Sequence, residues 1–324
     1  MSALISVVIP VYNAAGYLDA CLQSLQAQTY PDWEAIVVDD GSTDASPDLC
    51  RAWAARDSRI RVLRQENAGV SAARNAGIAA AAGSFLAFVD ADDRLEPDYL
   101  LELYSILGNS DLAVCSVYDN ETDYAKIRRE TVSLSTLRCT PSLYTQLVYI
   151  NYVYNKLYRS ELIRQHQLCF PVNMRRGEDA TFVRDYLMHC HTISVTPRRL
   201  YYYDTHPGSA MHRFYDGICC DEIPLMHIQY DLFHPAGSAS LTLKEEAAFQ
   251  FWQHGKVLSI LRYIAHYAPS RNIQLEQTRR FLADPLVRFS FTQTKAGIGI
   301  RGRLAAFFLN HEMWSPLLTL LKHI

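Results

Sequence analysis

The chain has 324 residues, 49% hydrophobic and 20% charged, so at about 150 residues per domain it can bury two cores, and disordered or collagen-like classes are excluded. With 31 Lys and Arg against 34 Asp and Glu, its formal charge of −3 argues against a protein held on nucleic acid by bulk charge. No apolar run approaches the ~20 residues of a spanning helix, and Met1-Ser2-Ala3 lacks a positive n-region, so neither a span nor a secretory signal is expected. The 8 cysteines show no CxxC spacing, which fits free thiols in a reducing cytoplasm.

Strand and helix signals alternate through the first 95 residues. Ile5-Ser6-Val7-Val8-Ile9, ended by Pro10, reads as a buried strand. Tyr17, Leu18, Cys21, Leu22 and Leu25 then recur at helical spacing, with Asn13 as the expected cap. Ala35-Ile36-Val37-Val38 is a second strand running into Asp39-Asp40-Gly41-Ser42, and Ile60-Arg61-Val62-Leu63 a third. Val70, Ala73, Gly77 and Ala80 mark a helix, and Phe85-Leu86-Ala87-Phe88-Val89 a fourth strand. Such alternation predicts a parallel, doubly wound α/β sheet covered on both faces.

Beyond Pro97 the spacing predicts a helix over Asp98 to Leu107 and a strand at Leu112-Ala113-Val114-Cys115. Tyr118 to Glu130 reads as an exposed loop or hairpin. Residues 140 to 203 mix short helices with Tyr-rich strands such as Leu200-Tyr201-Tyr202-Tyr203. From Ile218 onward the signal is helical, with helices expected over Lys244 to Tyr267 and Leu304 to Leu321. We therefore expect a domain over 1–216, in halves 1–95 and 96–216, and a helical region over 217–324.

In parallel α/β sheets, ligands bind beyond the carboxyl ends of the strands. Here those ends carry Pro10-Val11-Tyr12-Asn13, Asp39-Asp40-Gly41-Ser42 and Asp90-Ala91-Asp92-Asp93. Carboxylates gathered at one edge repel unless a cation, a base edge or sugar hydroxyls lie between them, and a hard divalent ion takes carboxylate plus phosphate oxygen. An acidic turn with capping duties is the bland alternative; position after a buried strand favours a site. Glu178 and Asp179 in Gly177-Glu178-Asp179-Ala180-Thr181-Phe182 would open a helix, where the macrodipole favours acids. The basic segment Asn173-Met174-Arg175-Arg176 before them points beyond capping to a site.

These segments, in order and together with Asn67-Ala68-Gly69-Val70-Ser71-Ala72-Ala73-Arg74-Asn75 and Asn155-Lys156-Leu157, resemble the family-2 inverting glycosyltransferases with the GT-A fold. The resemblance covers roughly residues 3 to 215. It implies that Pro10, Val11 and Tyr12 bracket the nucleobase, that Asp40 accepts from uracil N3–H, and that Asn67 belongs to the donor-binding motif. It implies that Asp90 and Ala91 lie near ribose and sugar, that Asp92 ligates Mn²⁺ or Mg²⁺ bridging the diphosphate, and that Arg74 faces donor and acids. Asp179 matches the general base, with Glu178 shaping the acceptor pocket. The implied partners are a UDP-sugar donor and a glycan or lipid-linked glycan acceptor of a bacterial surface polysaccharide, with no nucleic acid; oligomeric state stays open.

One departure stands out. Members often carry Tyr-Arg after the last core strand, whereas this chain reads Tyr203-Asp204-Thr205-His206, leaving His206, His212 or Arg213 for the lid, with His212 as a second metal ligand. Asp is ionised near neutrality without special tuning, as a base requires. A binding protein without turnover and a sugar nucleotidyltransferase are the alternatives; Val11-Tyr12-Asn13-Ala14-Ala15 lacks the latter's Gly-rich loop. Gly297-Ile298-Gly299-Ile300-Arg301-Gly302 matches a dinucleotide fingerprint without a following strand or ribose-binding acid, and His189-Cys190-His191 cannot turn three consecutive side chains onto one ion. Phe307, Phe308 and Trp314 beside Arg301, Arg303 and Lys322 suit a helix lying on anionic lipid at the inner face of the cytoplasmic membrane; packing into the helical lobe is the alternative.

Overall fold

A computed structural model describes residues 3–118, 128–138, 140, 148–204, 215–234, 241–292, 303–304, 307–308 and 311–322. They form two compact units. The first holds the described residues within Met1–Leu137, Gln146–Met174 and Glu178–Thr205; the second holds those within Arg138–Thr145, Arg175–Gly177 and His206–Ile324.

In the first unit β1 (Ile5–Val11), α1 (Leu18–Gln26), β2 (Trp33–Asp40), α2 (Ser46–Arg56), β3 (Ile60–Gln65), α3 (Val70–Ala80) and β4 (Phe85–Phe88) follow in chain order. β1 pairs in parallel with β2 and β4, and β2 with β3. Nearly every residue of β1 and β2 is buried, on inward and outward positions alike, so both faces of this half are covered. Gly77 lets α3 press on the sheet: a Cβ there would meet Val8 Cγ1 at 2.3 Å. The helix α2 gave no expected element of its own, because its apolar positions are few: Cys50 and Trp53 carry its buried apolar face, behind Pro47 in the first turn.

The remainder of the sheet is mixed. β5 (Arg94–Leu95), α4 (Tyr99–Leu107), β6 (Leu112–Tyr118), β7 (Glu130–Ser133), β8 (Lys156–Arg159) and β9 (Thr192–Tyr202) complete the sheet, in the order β3-β2-β1-β4-β8-β6-β9-β5 with β7 on β9. β8 runs antiparallel to both β4 and β6. Its four residues, Lys156-Leu157-Tyr158-Arg159, are too short and too basic at their ends to announce a central strand, yet Lys156, Leu157 and Tyr158 are all buried. The helix Glu178–Leu187 then carries Phe182, Val183, Tyr186 and Leu187 inward.

The second unit is helical among the described residues: Ile218–Phe233, Leu243–Tyr267, Arg271–Ala283, Pro285–Thr292 and Trp314–Leu321. Thr242 and Glu245 form a reciprocal capping box at the start of the longest. The single helix expected over Leu304 to Leu321 is broken instead. Glu312 has φ +54°, and Pro316 lies in the first turn of Trp314–Leu321, where an unbroken helix would press its ring on the Glu312 carbonyl. Leu317, Leu318 and Leu321 are fully buried in a core with Phe281, Leu282 and Val287, so this stretch packs within the lobe. Among the described residues no helix is long and apolar enough to cross a membrane. Arg175–Gly177, expected in the first domain, group with the second unit because the Asp221 carboxylate accepts the amides of Arg175 and Arg176 at 3.2 and 2.9 Å.

Candidate active site

The carboxyl ends of β1 and β2 are laced together. Asn13, expected to cap α1, instead adopts φ +49°, and its Oδ1 accepts from the amides of Thr43 and Asp44 at 2.8 and 3.3 Å. Its own amide donates to Ser42 Oγ at 3.0 Å, and α1 starts at Leu18 with no side-chain cap. Gly41 has φ +71°, and a Cβ would stand 2.7 Å from the Asn67 amide nitrogen, so only glycine fits this turn. Asp39 is buried, accepts the Ser42 amide at 3.0 Å and lies 3.3 Å from Arg64 Nε.

Asp40, also buried, accepts from Gln65 Nε2 at 2.7 Å, from the Ala68 amide at 2.9 Å and from the Gly69 amide at 2.8 Å. It therefore anchors the Asn67–Gly69 loop, a duty absent from the sequence reading. Pro10 is half-buried, Val11 is buried and Tyr12 is exposed at this end of β1; Asn67 is exposed on the facing loop.

The acids after β4 divide by environment. Asp93 is buried and pinned by the Tyr201 hydroxyl at 2.5 Å and the Asp204 amide at 2.9 Å. Burial, then the charge of Asp90, pushes its carboxyl up to about 8. Asp204, standing where arginine was expected, thus contributes its backbone to the acidic turn. Ala91 is buried, and Asp90 and Asp92 are half-buried. The nearby Cys21 thiol is also pushed up, by burial and by Asp93, Asp90 and Asp92 in turn. A surplus of negative charge on hard oxygen donors is chemistry that would suit a divalent cation, and half-buried Asp92 would be its ligand in the resemblance. No cluster of three or more His, Cys, Asp or Glu forms a ready-made cage among the described residues, so substrate oxygens would complete the shell. His212, His206 and Arg213 lie outside the described residues.

Arg74 is the hub. It is 3% exposed, and its Nη2 donates to Asp90 Oδ1 at 2.8 Å while Nη1 donates to Asp179 Oδ1 at 2.6 Å and reaches Glu178 Oε1 at 3.5 Å. Residues 74, 90, 178 and 179 of the sequence reading therefore meet around one guanidinium. Burial and then the charge of Asp179 raise the Glu178 carboxyl to about 7, against the pull of Arg74. Burial likewise raises Asp179, which Arg74 opposes most strongly, with the Val153 amide at 3.4 Å and Lys156 also lowering it. The expectation of an Asp that needs no tuning is thus corrected: Asp179 is half-buried, and its carboxyl lies above the ordinary value although Arg74, the Val153 amide and Lys156 oppose the shift.

Two residues of the Asn155-Lys156-Leu157 segment shape the site from behind. Asn155, with φ +58°, and the fully buried Lys156 build the turn beside Asp179. Their signal was a lysine and an asparagine at the mouth of an apolar run, which burial alone would exclude unless each is paired. The rejected His189-Cys190-His191 triplet diverges: Cys190 is buried, His191 exposed, and His189 stacks on His166 at 3.5 Å. The Gly297–Gly302 match lies outside the described residues.

A doubly wound half-sheet with acids at its carboxyl edge, extended by mixed strands, defines a mixed α/β fold whose acids Asp90, Glu178 and Asp179 meet at one inward arginine. The model for glycosyl transferase family 2 matches residues 6–167, and the chain belongs to that family. The chain is 35% identical over 217 residues to the provisionally named glycosyltransferase EpsH of Bacillus subtilis (strain 168), covering 65% of this chain and 63% of EpsH. It is 30% identical over 262 residues to EpsJ, a glycosyltransferase of the same strain named as uncharacterised, covering 78% of this chain and 71% of EpsJ. Among solved structures, TarS 1–349 of Staphylococcus aureus in complex with UDP-GlcNAc superposes with a TM-score of 0.73 at 20% identity, over 98% of this chain and 90% of that one, so the GT-A fold is shared.

Proposed function

We propose that the chain is a metal-dependent inverting glycosyltransferase that moves a sugar from a UDP-sugar to a hydroxyl of a glycan or lipid-linked glycan during synthesis of a bacterial surface polysaccharide. The observation that carries this reading is Arg74, which ties Asp90 of the strand edge to Glu178 and Asp179 through one buried guanidinium. A donor-side acid and a candidate base then stand on either side of a single cation. The UDP-GlcNAc bound by TarS supports the donor class.

In this reading Asp179 takes the proton of the acceptor hydroxyl as that oxygen attacks the anomeric carbon. The bond from that carbon to the diphosphate oxygen breaks, and its electron pair leaves with UDP. Arg74 opposes the upward push that burial gives the Asp179 carboxyl, which stays above its ordinary value, and Glu178, with its raised carboxyl, borders the acceptor side. Asp40 has three acceptor positions filled of roughly four on a carboxylate, which leaves one for a base N–H beside Tyr12. A Mn²⁺ or Mg²⁺ ion held by Asp92 would supply Lewis-acid neutralisation of the leaving diphosphate. Peripheral contact with the cytoplasmic membrane face now rests on the half-exposed Leu304 and Phe307, since Leu317, Leu318 and Leu321 are buried.

The test is UDP release from UDP-Gal, UDP-Glc, UDP-GlcNAc, UDP-GalNAc and UDP-GlcA with a glycan acceptor. Asp179→Asn is expected to lower turnover by roughly 10²–10⁴ with UDP affinity nearly unchanged. UDP binding without release by the unmodified protein would point to a binding protein, and release of pyrophosphate from UTP and a sugar phosphate to a nucleotidyltransferase.

A further inference from the structure

The segment before β8 is a turn in which each carbonyl is held. The Tyr152 carbonyl accepts from Lys156 Nζ at 2.6 Å, Val153 from the Tyr158 hydroxyl at 3.0 Å, Tyr154 from Lys156 Nζ at 3.3 Å, and Asn155 from the Cys115 amide at 3.0 Å. Lys156 Nζ also donates to Asn155 Oδ1 at 2.7 Å, and Asn155 Nδ2 donates to the Cys115 carbonyl. The Val153 amide, by contrast, points to Asp179 Oδ2.

A fully buried lysine on three neutral oxygens is a costly way to hold a turn. Burial lowers its ammonium to about 7, while Cys115 and Asp179 pull in the opposite direction. Methionine or leucine would pack with less penalty if filling space were the only demand. What the ammonium adds is a fixed backbone: it gathers the Tyr152 and Tyr154 carbonyls to one side, which turns the intervening Val153 amide outward to the acid. The left-handed Asn155 closes the turn so that β8 can run antiparallel between β4 and β6.

We infer that Lys156 and Asn155 are positioning residues for Asp179, acting through the Val153 amide. Resting on the reading of Asp179 as the base, this explains how its carboxylate is oriented. Arg74 holds Oδ1 and the Val153 amide holds Oδ2, so the plane of the group is set before an acceptor hydroxyl arrives, and two of its roughly four acceptor positions remain for that hydroxyl. Without the turn, Oδ2 is free to swing about the Arg74 contact.

The experiment compares steady-state UDP release by Lys156→Met and Asn155→Gly with the unmodified protein. Asn155→Gly keeps a residue that accepts φ +58° while removing both side-chain ties, so it serves if Lys156→Met fails to fold. Each is expected to lower kcat about 10–100-fold with the donor KM and UDP affinity within about threefold, as for loss of alignment at the reacting group. In an Asp179→Asn background the same substitutions should cost almost nothing further. Loss confined to donor KM, or losses that multiply with Asp179→Asn, would overturn the inference. If the unmodified protein releases no UDP from any UDP-sugar, the functional reading falls by itself. The tie is then read from the Val153 amide proton resonance, which should move upfield on Lys156→Met and on Asp179→Asn alike; a resonance that stays put in both overturns the tie.

Discussion

Both units set acids next to arginine, but they balance them differently. In the second unit Glu222, 2% exposed, meets Arg176 Nε at 3.1 Å and Lys256 Nζ at 3.7 Å. Its neighbour Asp221 is satisfied by two backbone amides and the Tyr215 hydroxyl. Two acids there answer two cations, and the result is architecture. In the first unit one guanidinium, Arg74, serves three carboxylates, and Asp92 and Asp93 add further acid close by. A buried site left short of positive charge raises its own carboxyls and gains from any cation or proton donor that enters. That imbalance is what marks the Arg74 cluster as the candidate site and the Glu222 cluster as a structural ion pair.

The comparison breaks first at Arg74. Arg74→Leu leaves the half-buried Asp90, Glu178 and Asp179 facing one another without their shared cation and is expected to cost about 3 kcal/mol in a urea melt, the low end for breaking a buried pair. A loss below ~1 kcal/mol, the scale of an exposed pair, would mean the hub is not buried charge in solution. Next comes Asp92→Asn. If the surplus charge receives a divalent ion, this change should lower turnover by roughly 10²–10³ without shifting the melt, and chelation should mimic it. Full activity in excess EDTA would refute the metal.

The second unit gives the matching apolar test. Leu318→Ala in its core is expected to destabilise by about 3 kcal/mol, since the residue is fully buried. The same preparation, sedimented with anionic vesicles at low salt, shows whether the exposed Phe307 adds lipid contact; pelleting that ignores vesicles leaves the tail a packing element. The smallest expected effect is on pH dependence. Glu178 binds its proton more tightly folded, at about 7, than at its ordinary 4.5. Its contribution to stability is therefore full below the ordinary value and is lost as pH rises through 7. Glu178→Gln should flatten that part of the stability curve, and an unchanged slope would place the proton elsewhere.

The half of the fold that reads clearly is the half whose signals are local. β1 and β2 are runs rich in β-branched residues and buried on both faces. Asp40, Asp90 and Asp92 are legible as candidates because a parallel strand must deliver its last residues to one edge. Asn13 was misread because a helix cap and a left-handed turn residue look alike in sequence, and only the partner, the Thr43 amide thirty residues on, tells them apart. β8 was missed because its pairing, antiparallel to two strands far away in sequence, leaves no periodic trace in four residues.

By itself, then, the sequence determined the doubly wound half-sheet, the acids at its edge and the order of motifs that identifies the family. Those depend on hydrophobic period and strand ends, which are written residue by residue. Tertiary structure alone decided that Arg74 joins acids from two distant segments, that Asp40 anchors a loop, and that Lys156 is buried beside the candidate base. It also decided that the C-terminal leucines face a protein core. Charge and burial at such points are set by which segments meet, and no local pattern encodes the neighbour that a side chain will find across the fold.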